Sequence, residues 1–318
     1  MYHNAMTKTA KPKKAKKKPS VRYGIGELYG FDFAGLPADQ IRKLAKASFK
    51  SQPCPFRGSN SLCNKSGGVC SLRQIIKDGT TIAPVEGTSL VATCPARFYD
   101  GGVVLAWVGQ ELLGTDSPII LSELPFLMST AKDNPTDVST VGKIDMVLVH
   151  PDTTNLRWFA LEIQAVYFSG AAMSKDFGVM KKWKGPGFPF PQGNRRPDFR
   201  SSGPKRLMPQ LQIKVPTISR WGKKMAVVVD QPFWESLGTI TEVDHISNCD
   251  IAWFVVKYTH NGTRFCLEPA GMHLTTLDHA VEGLTGGKPT SLADFEKTLL
   301  SKLGDGQDGL GLANPNPD

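Results

Sequence analysis

The stretch KIDMVLVHPDTTNLRWFALEIQAVYF, residues 143–168, is the strongest constraint on how this chain can fold. Two apolar runs flank PDTTN, a cluster of turn-forming residues, so the segment reads as strand, turn, strand. Successive strand side chains point to opposite faces, which places Glu162 and Gln164 on one face and Leu161, Ile163 and Ala165 on the other. A hairpin centred between Thr153 and Thr154 then sets Asp145 opposite Glu162. Their Cβ atoms would lie roughly 4.5–5.5 Å apart. Two partly buried carboxylates that close resist joint ionisation unless a cation lies between them. Mg²⁺ suits such a site, since it takes one or two carboxylates and fills its shell with water and substrate phosphate. The Gln164 amide does not titrate near neutrality, so it can orient a water or a phosphate oxygen but cannot act as a base. An exposed polar strand face is the plainer alternative for the same residues.

Further along, KRLMPQLQIKVPTISRW carries Leu207, Leu211, Val215 and Ile218 at helical spacing despite two prolines, and KMAVVVD follows as a buried strand. Strand, crossover helix, strand predicts a parallel pair and hence a mixed α/β sheet. PADQIRKLAKASF and SLADFEKTLLSKL predict amphipathic helices, while residues 103–113 and 119–131 read as helical or mixed. GIGELYG lacks dinucleotide-binding spacing, and GLTGGKPT has Pro289 where a phosphate loop needs Ser or Thr. The expected division is a disordered basic tail over 1–20, a helix and cysteine-rich module over 21–100, a main domain over 101–303, and a loose tail over 304–318.

The formal net charge of +9 is unevenly spread. Residues 1–20 hold seven lysines and no acid, and residues 175–224 hold 13 basic against 2 acidic residues. Residues 21–174 are nearly balanced, with 13 against 14, and residues 225–318 are acidic, with 5 against 13. Basic charge gathered into a tail and one internal block is what a polyanion-binding protein shows, so nucleic acid is the expected partner. Within the block, the Gly- and Pro-rich stretch KGPGFPFPQGNRRPDFRSSGP reads as a long functional loop. No apolar run is long enough to cross a membrane, and the N-terminus has no apolar signal core, so the expected setting is cytoplasmic.

Four of the six cysteines, Cys54, Cys63, Cys70 and Cys94, fall within a segment rich in Gly, Pro, Ser and Asn. In a reducing compartment such a set is better explained by a tetrathiolate metal site, with Zn or Fe, than by two disulfides.

Read together, CPFRGSNSLCNKSGGVC, TCPARFYDGG, GKIDMVLV, ALEIQAVYFSG and RRPDFRSSGPKRLMPQLQIKVPTISRWGKKMAVVVD resemble the NotI-type restriction endonuclease family over about residues 50–238. The resemblance implies a PD-(D/E)XK nuclease core, a mixed central sheet flanked by helices, beside a small loop-rich four-cysteine metal-binding module. It further implies Mg²⁺-dependent cleavage of double-stranded DNA at a palindromic site by a bacterial homodimer, paired with a cognate DNA methyltransferase that protects host sites. Asp145 and Glu162 then match the catalytic metal ligands, Gln164 fills the slot that holds lysine in the wider superfamily, and Cys54, Cys63, Cys70 and Cys94 match the iron ligands, with zinc as the alternative. Ile144 precedes Asp145 where the wider pattern has proline, and a third acid could come from Glu111 or Glu123.

Arg195, Arg196, Arg200, Lys205 and Arg206 are the candidates for DNA contact, because arginine pairs bidentately with guanine and a GC-rich site would suit it. Two rival functions remain at this stage. One is a non-catalytic, metal-stabilised DNA-binding protein, and the other is a structure-selective repair nuclease of the same superfamily.

Overall fold

The chain is described by a computed structural model over residues 18–58, 60–131, 134–286 and 290–304. Most of both expected tails therefore lies outside the described residues.

The first layer is an antiparallel sheet built from β1 (Ser20–Leu28), β2 (Phe31–Asp32), β3 (Val69–Asp78), β4 (Thr81–Pro84) and β5 (Val91–Ala92). Its order is β2-β1-β3-β4, with β5 also paired to β3. Helix α1 (Ala38–Lys46) forms where expected and buries Ile41, Leu44 and Ala45. These pack with Ile25, Leu28, Leu72 and Ile75, and the cluster is completed from far along the chain by Met180 and Phe188. Residues 51–100 are thus more ordered than their composition suggests. The reason is that β3 is flanked on both edges, so its first four residues are all buried, and its main partner β1 lies in a different stretch of sequence. A continuous buried run carries no alternation to betray it.

The second sheet has six strands, β6 (Ile119–Ala131), β7 (Asn134–Val149), β8 (Trp158–Ile163), β11 (Met225–Asp230), β12 (Ile251–His260) and β13 (Phe265–Thr275). A small separate ladder pairs β9 (Phe168–Gly170) with β10 (Arg195–Pro197). The six-stranded order is β13-β12-β11-β8-β7-β6. Strand β11 runs parallel to both β8 and β12, and the remaining pairs are antiparallel, so the expected mixed α/β class holds.

Every residue of β11 is buried, and its side chains alternate between two cores. Met225, Val227 and Val229 meet one core, while Ala226 and Val228 meet the other. Helix α2 (Val103–Leu113) supplies Val104, Leu105 and Val108 to the second core. Short helices α3 (Ser174–Met180) and α4 (Phe199–Ser202) lie in the first part of the basic block, and between α3 and β10 the chain is a loop over residues 181–194. Helix α5 (Met208–Arg220) is the crossover between β8 and β11, and it packs Leu211, Val215 and Ile218 on the first core. After it come α6 (Gln231–Glu235), α7 (Leu277–Thr285), which adds Ala280 and Leu284 to that core, and α8 (Leu292–Gly304).

Residues 119–131 depart from the helical or mixed reading. They form strand β6, which pairs along its whole length with β7 and is the sheet's outer strand. The ladder is irregular beside Pro125, which an edge strand tolerates because one side of its backbone needs no partner.

Two buried polar contacts fasten the first layer to the second. Arg97, fully buried, donates through Nε to both Glu27 carboxylate oxygens at 3.0 and 2.9 Å, and through Nη1 to Asp100 at 3.2 Å. Its Nη2 donates to the Phe265 carbonyl on β13 at 2.9 Å. Asp230, at the end of β11, caps α6 by accepting from the Phe233 N–H, and it also accepts from the Ala92 N–H of β5 at 2.7 Å.

Candidate active site

The hairpin register is the expected one. Strands β7 and β8 pair Met146 with Leu161, Val147 with Ala160 and Val149 with Trp158, so one further step sets Asp145 against Glu162. The two carboxyl groups share one partner, the Lys214 ammonium, at 3.4 Å from Asp145 Oδ1 and 2.7 Å from Glu162 Oε2. They differ in exposure, with the Asp145 side chain 59% accessible and that of Glu162 3% accessible. Asp145 therefore faces solvent, whereas Glu162 forms the floor. Burial pushes the Glu162 carboxyl up to about 8, with Lys214 opposing the rise and Asp145 adding to it. Gln164 follows β8, held by its N–H to the Val228 carbonyl at 3.0 Å, and its side-chain amide donates to the Ala165 carbonyl at 2.5 Å.

Lys214, absent from the sequence-derived set, completes this group. Its Nζ lies 2.7 Å from Glu162 Oε2, 3.4 Å from Asp145 Oδ1 and 2.8 Å from Gln210 Oε1. It comes from α5 and shares that helix's buried face with Leu211, Val215 and Ile218. The signal was a lysine on an apolar stripe, three residues after Leu211 and four before Ile218, where an ammonium survives only if it is paired.

Asp145, Glu162, Gln164 and Gln210 open into a cleft of about 610 Å³. The cleft lies between the two layers, with Lys65, Thr93 and Pro95 on one wall and Tyr167, Arg195 and Arg206 on the other. Of the candidate DNA-contacting residues, Arg196, Arg200, Lys205 and Arg206 are exposed. The Arg206 guanidinium lies 3.4 Å from the centre of the Tyr167 ring. Arg195 is placed differently: it is buried and donates to Asp176 at 2.5 Å and to the carbonyls of Ala171 and Tyr23 at 3.1 and 3.3 Å. Glu123 is turned to an exposed ion pair with Lys143 at 2.9 Å, and Glu111 is exposed on α2.

Backbone pairing brings the four cysteines together as two couples. An isolated bridge between Pro53 and Leu62, flanked by hydrogen bonds from Cys54 N–H to Ser61 and from Cys63 N–H to Gln52, sets the first two side by side. The Thr93 N–H donates to the Cys70 carbonyl at 2.9 Å, which brings the second two together. All are free thiols, and three of them are buried. Burial pushes the thiols of Cys63, Cys70 and Cys94 up, and neighbouring cysteines add to each rise. Among the described residues, no three His, Cys, Asp or Glu side chains converge to metal-holding distance, either here or at the carboxylate pair.

A buried and an exposed carboxylate beside a lysine, at the floor of a cleft with basic residues on its wall, suit the hydrolysis of a polyanionic ester. The comparison with known families makes this specific. The family model described as Restriction endonuclease NotI matches residues 39–267, most of the chain, and the chain belongs to that family. It is a restriction endonuclease, a deoxyribonuclease that binds DNA and cuts it at specific sites. The endonuclease expectation is thus the one supported, over the non-catalytic binder and the repair nuclease. No curated protein matches the chain. Among the described residues, no helix is long and apolar enough to cross a membrane.

Proposed function

We propose that this chain is a type II restriction endonuclease of PD-(D/E)XK architecture that hydrolyses double-stranded DNA with Asp145, Glu162 and Gln164 as its catalytic set. The observation that carries the reading is the convergence of Asp145 and Glu162 on Lys214 in a cleft that both carboxylates line. The donor set fits a hard divalent cation, since two carboxylates grouped around one ammonium, one of them solvent-facing, leave room for water and phosphate as further ligands. Mg²⁺ bound there supplies positive charge at the scissile phosphate and makes the attacking water easier to deprotonate. Glu162 and Asp145 would hold the cation as carboxylates. Gln164 orients the attacking water or a phosphate oxygen through its amide.

The division follows the two layers, with residues 21–100 as the cysteine module and 101–303 as the catalytic and DNA-binding domain. Cys54, Cys63, Cys70 and Cys94 hold a structural iron, with zinc as the other ion such a thiol set accepts. The fit rests on donor chemistry: four free thiols, three of them buried, stand in two backbone-paired couples. Arg196, Arg200, Lys205 and Arg206 contact DNA, while Arg195, whose donors are already engaged, fixes the loop that presents them. A GC-rich palindrome read by a homodimer, with a methyltransferase guarding the host's own sites, completes the proposal.

The test is to incubate the purified protein with long, unmethylated double-stranded DNA in the presence of Mg²⁺ or of chelator. Discrete fragments that appear only with Mg²⁺ are expected, and their ends give the site and the cut position. Intact DNA, or cleavage that ignores the chelator, contradicts the reading.

A further inference from the structure

We propose that Lys214 is a catalytic residue of this site, the cation that stabilises negative charge developing on the scissile phosphate. The inference rests on the carboxylate-site reading above and adds to it a residue from outside the hairpin.

The α5 stripe of Leu211, Val215 and Ile218 needs an apolar side chain at position 214 for packing, and a leucine or methionine would serve it better. Burying an ammonium is costly, and replacing buried ion pairs by apolar groups is often neutral or stabilising. A lysine there therefore serves something other than packing.

Among the described residues, the site otherwise lacks a fixed positive charge. Gln164 is neutral, and its amide nitrogen donates to the Ala165 carbonyl. Other cations on the cleft wall are engaged or placed at the rim. Lys65 donates to the Thr93 carbonyl at 2.6 Å, Arg195 is held by Asp176, and Arg206 lies exposed over Tyr167. Among the described residues, Lys214 is the cation paired with Asp145 and Glu162.

An ammonium has three N–H donors in a tripod. Two are used at short range, by Glu162 at 2.7 Å and Gln210 at 2.8 Å, and the contact with Asp145 is loose at 3.4 Å. Gln210 lies one helical turn before Lys214 and lines the cleft, so it aims the ammonium and is a positioning residue. The loosely held donor is the one on the Asp145 side, where solvent and substrate enter.

In the reaction, a water oxygen bonds to phosphorus and the bond from phosphorus to the 3′ oxygen breaks. The attacking water gives its proton to solvent, and the leaving oxygen takes a proton from solvent. Lys214 stays protonated throughout and donates to a non-bridging phosphate oxygen as charge accumulates there. A fixed donor of this kind is worth about a hundred- to a thousandfold in rate.

The test compares K214M with the wild-type protein and with D145N in single-turnover cleavage, alongside DNA affinity and the thermal midpoint. K214M is expected to keep its fold and bind DNA within about threefold of wild type, while its cleavage rate at saturating Mg²⁺ falls by a hundredfold or more. A smaller loss, or one cured by raising Mg²⁺, overturns the assignment, because Lys214 would then merely arrange the carboxylates. If K214M does not fold, K214Q is judged by the same thresholds. D145N separates the two claims: an inactive D145N beside an active K214M defeats the inference alone, whereas an active D145N defeats the site itself.

Discussion

The two layers of this molecule are held together in different ways. The six-stranded sheet is sandwiched between two apolar cores, and its central strand β11 is buried along its whole length. The cysteine-bearing layer has one apolar cluster, part of which comes from residues 168–190, and it is tied to its neighbour by buried polar contacts centred on Arg97 and Asp230. A sheet stabilised by dispersed apolar contacts loses little at any single position. A layer held at a few polar points can be undone at any one of them. The cleft runs between the two, so a failure of the second layer removes one wall of the site.

The largest expected effect is on the cysteine layer. Cys70→Ser should abolish the proposed metal binding, which in structural thiolate sites contributes on the order of 10 kcal/mol. Metal analysis together with limited proteolysis checks this: residues 21–100 should become labile while fragments of the main sheet persist. Equal lability of both layers would erase the contrast. Next comes Arg97→Met. Leaving Glu27 buried without its partner should destabilise the protein by about 3–5 kcal/mol, measured by denaturant unfolding. Asp230→Ala should cost about 2–3 kcal/mol, because the N–H groups of Ala92 and Phe233 lose their acceptor.

Two further effects depend on pH. Full burial pushes the Asp230 carboxyl up to about 7. The folded state then holds this proton more tightly than the unfolded state does, so the stabilisation is complete below about pH 4 and is lost as pH rises towards 7, by roughly 1.4 kcal/mol per pH unit. Asp230→Asn should flatten that slope. At the cleft, protonated Glu162 competes with the cation until about pH 8. The half-saturating Mg²⁺ concentration should therefore fall about tenfold per unit as pH rises to that point and level off above it. A requirement that does not change with pH would mean that Glu162 is not a ligand.

How much of this could be read in advance follows from where each signal lies in the chain. The Asp145 and Glu162 pairing was legible because a single turn fixes the register of a hairpin, and PDTTN marks that turn. The parallel arrangement of β8 and β11 was legible from strand, helix, strand order. For Lys214 the apolar stripe of α5 signalled only that a partner was needed, because the carboxylates that pair with it lie 52 and 69 residues away. Strand β6 was obscured by its mixed pattern and proline, and its identity is settled by pairing with β7. Burial of Arg195 also came from outside its own segment, through Asp176 and the carbonyls it meets.

The measurement that tests the central claim most directly is the cleavage rate of Asp145→Ala on specific double-stranded DNA, with binding followed in parallel. The side chain is mostly exposed and its loss should leave the fold intact. The expected result is that Mg²⁺-dependent cleavage disappears while specific binding survives. Cleavage within tenfold of wild type would show that the chemistry is performed elsewhere in the molecule.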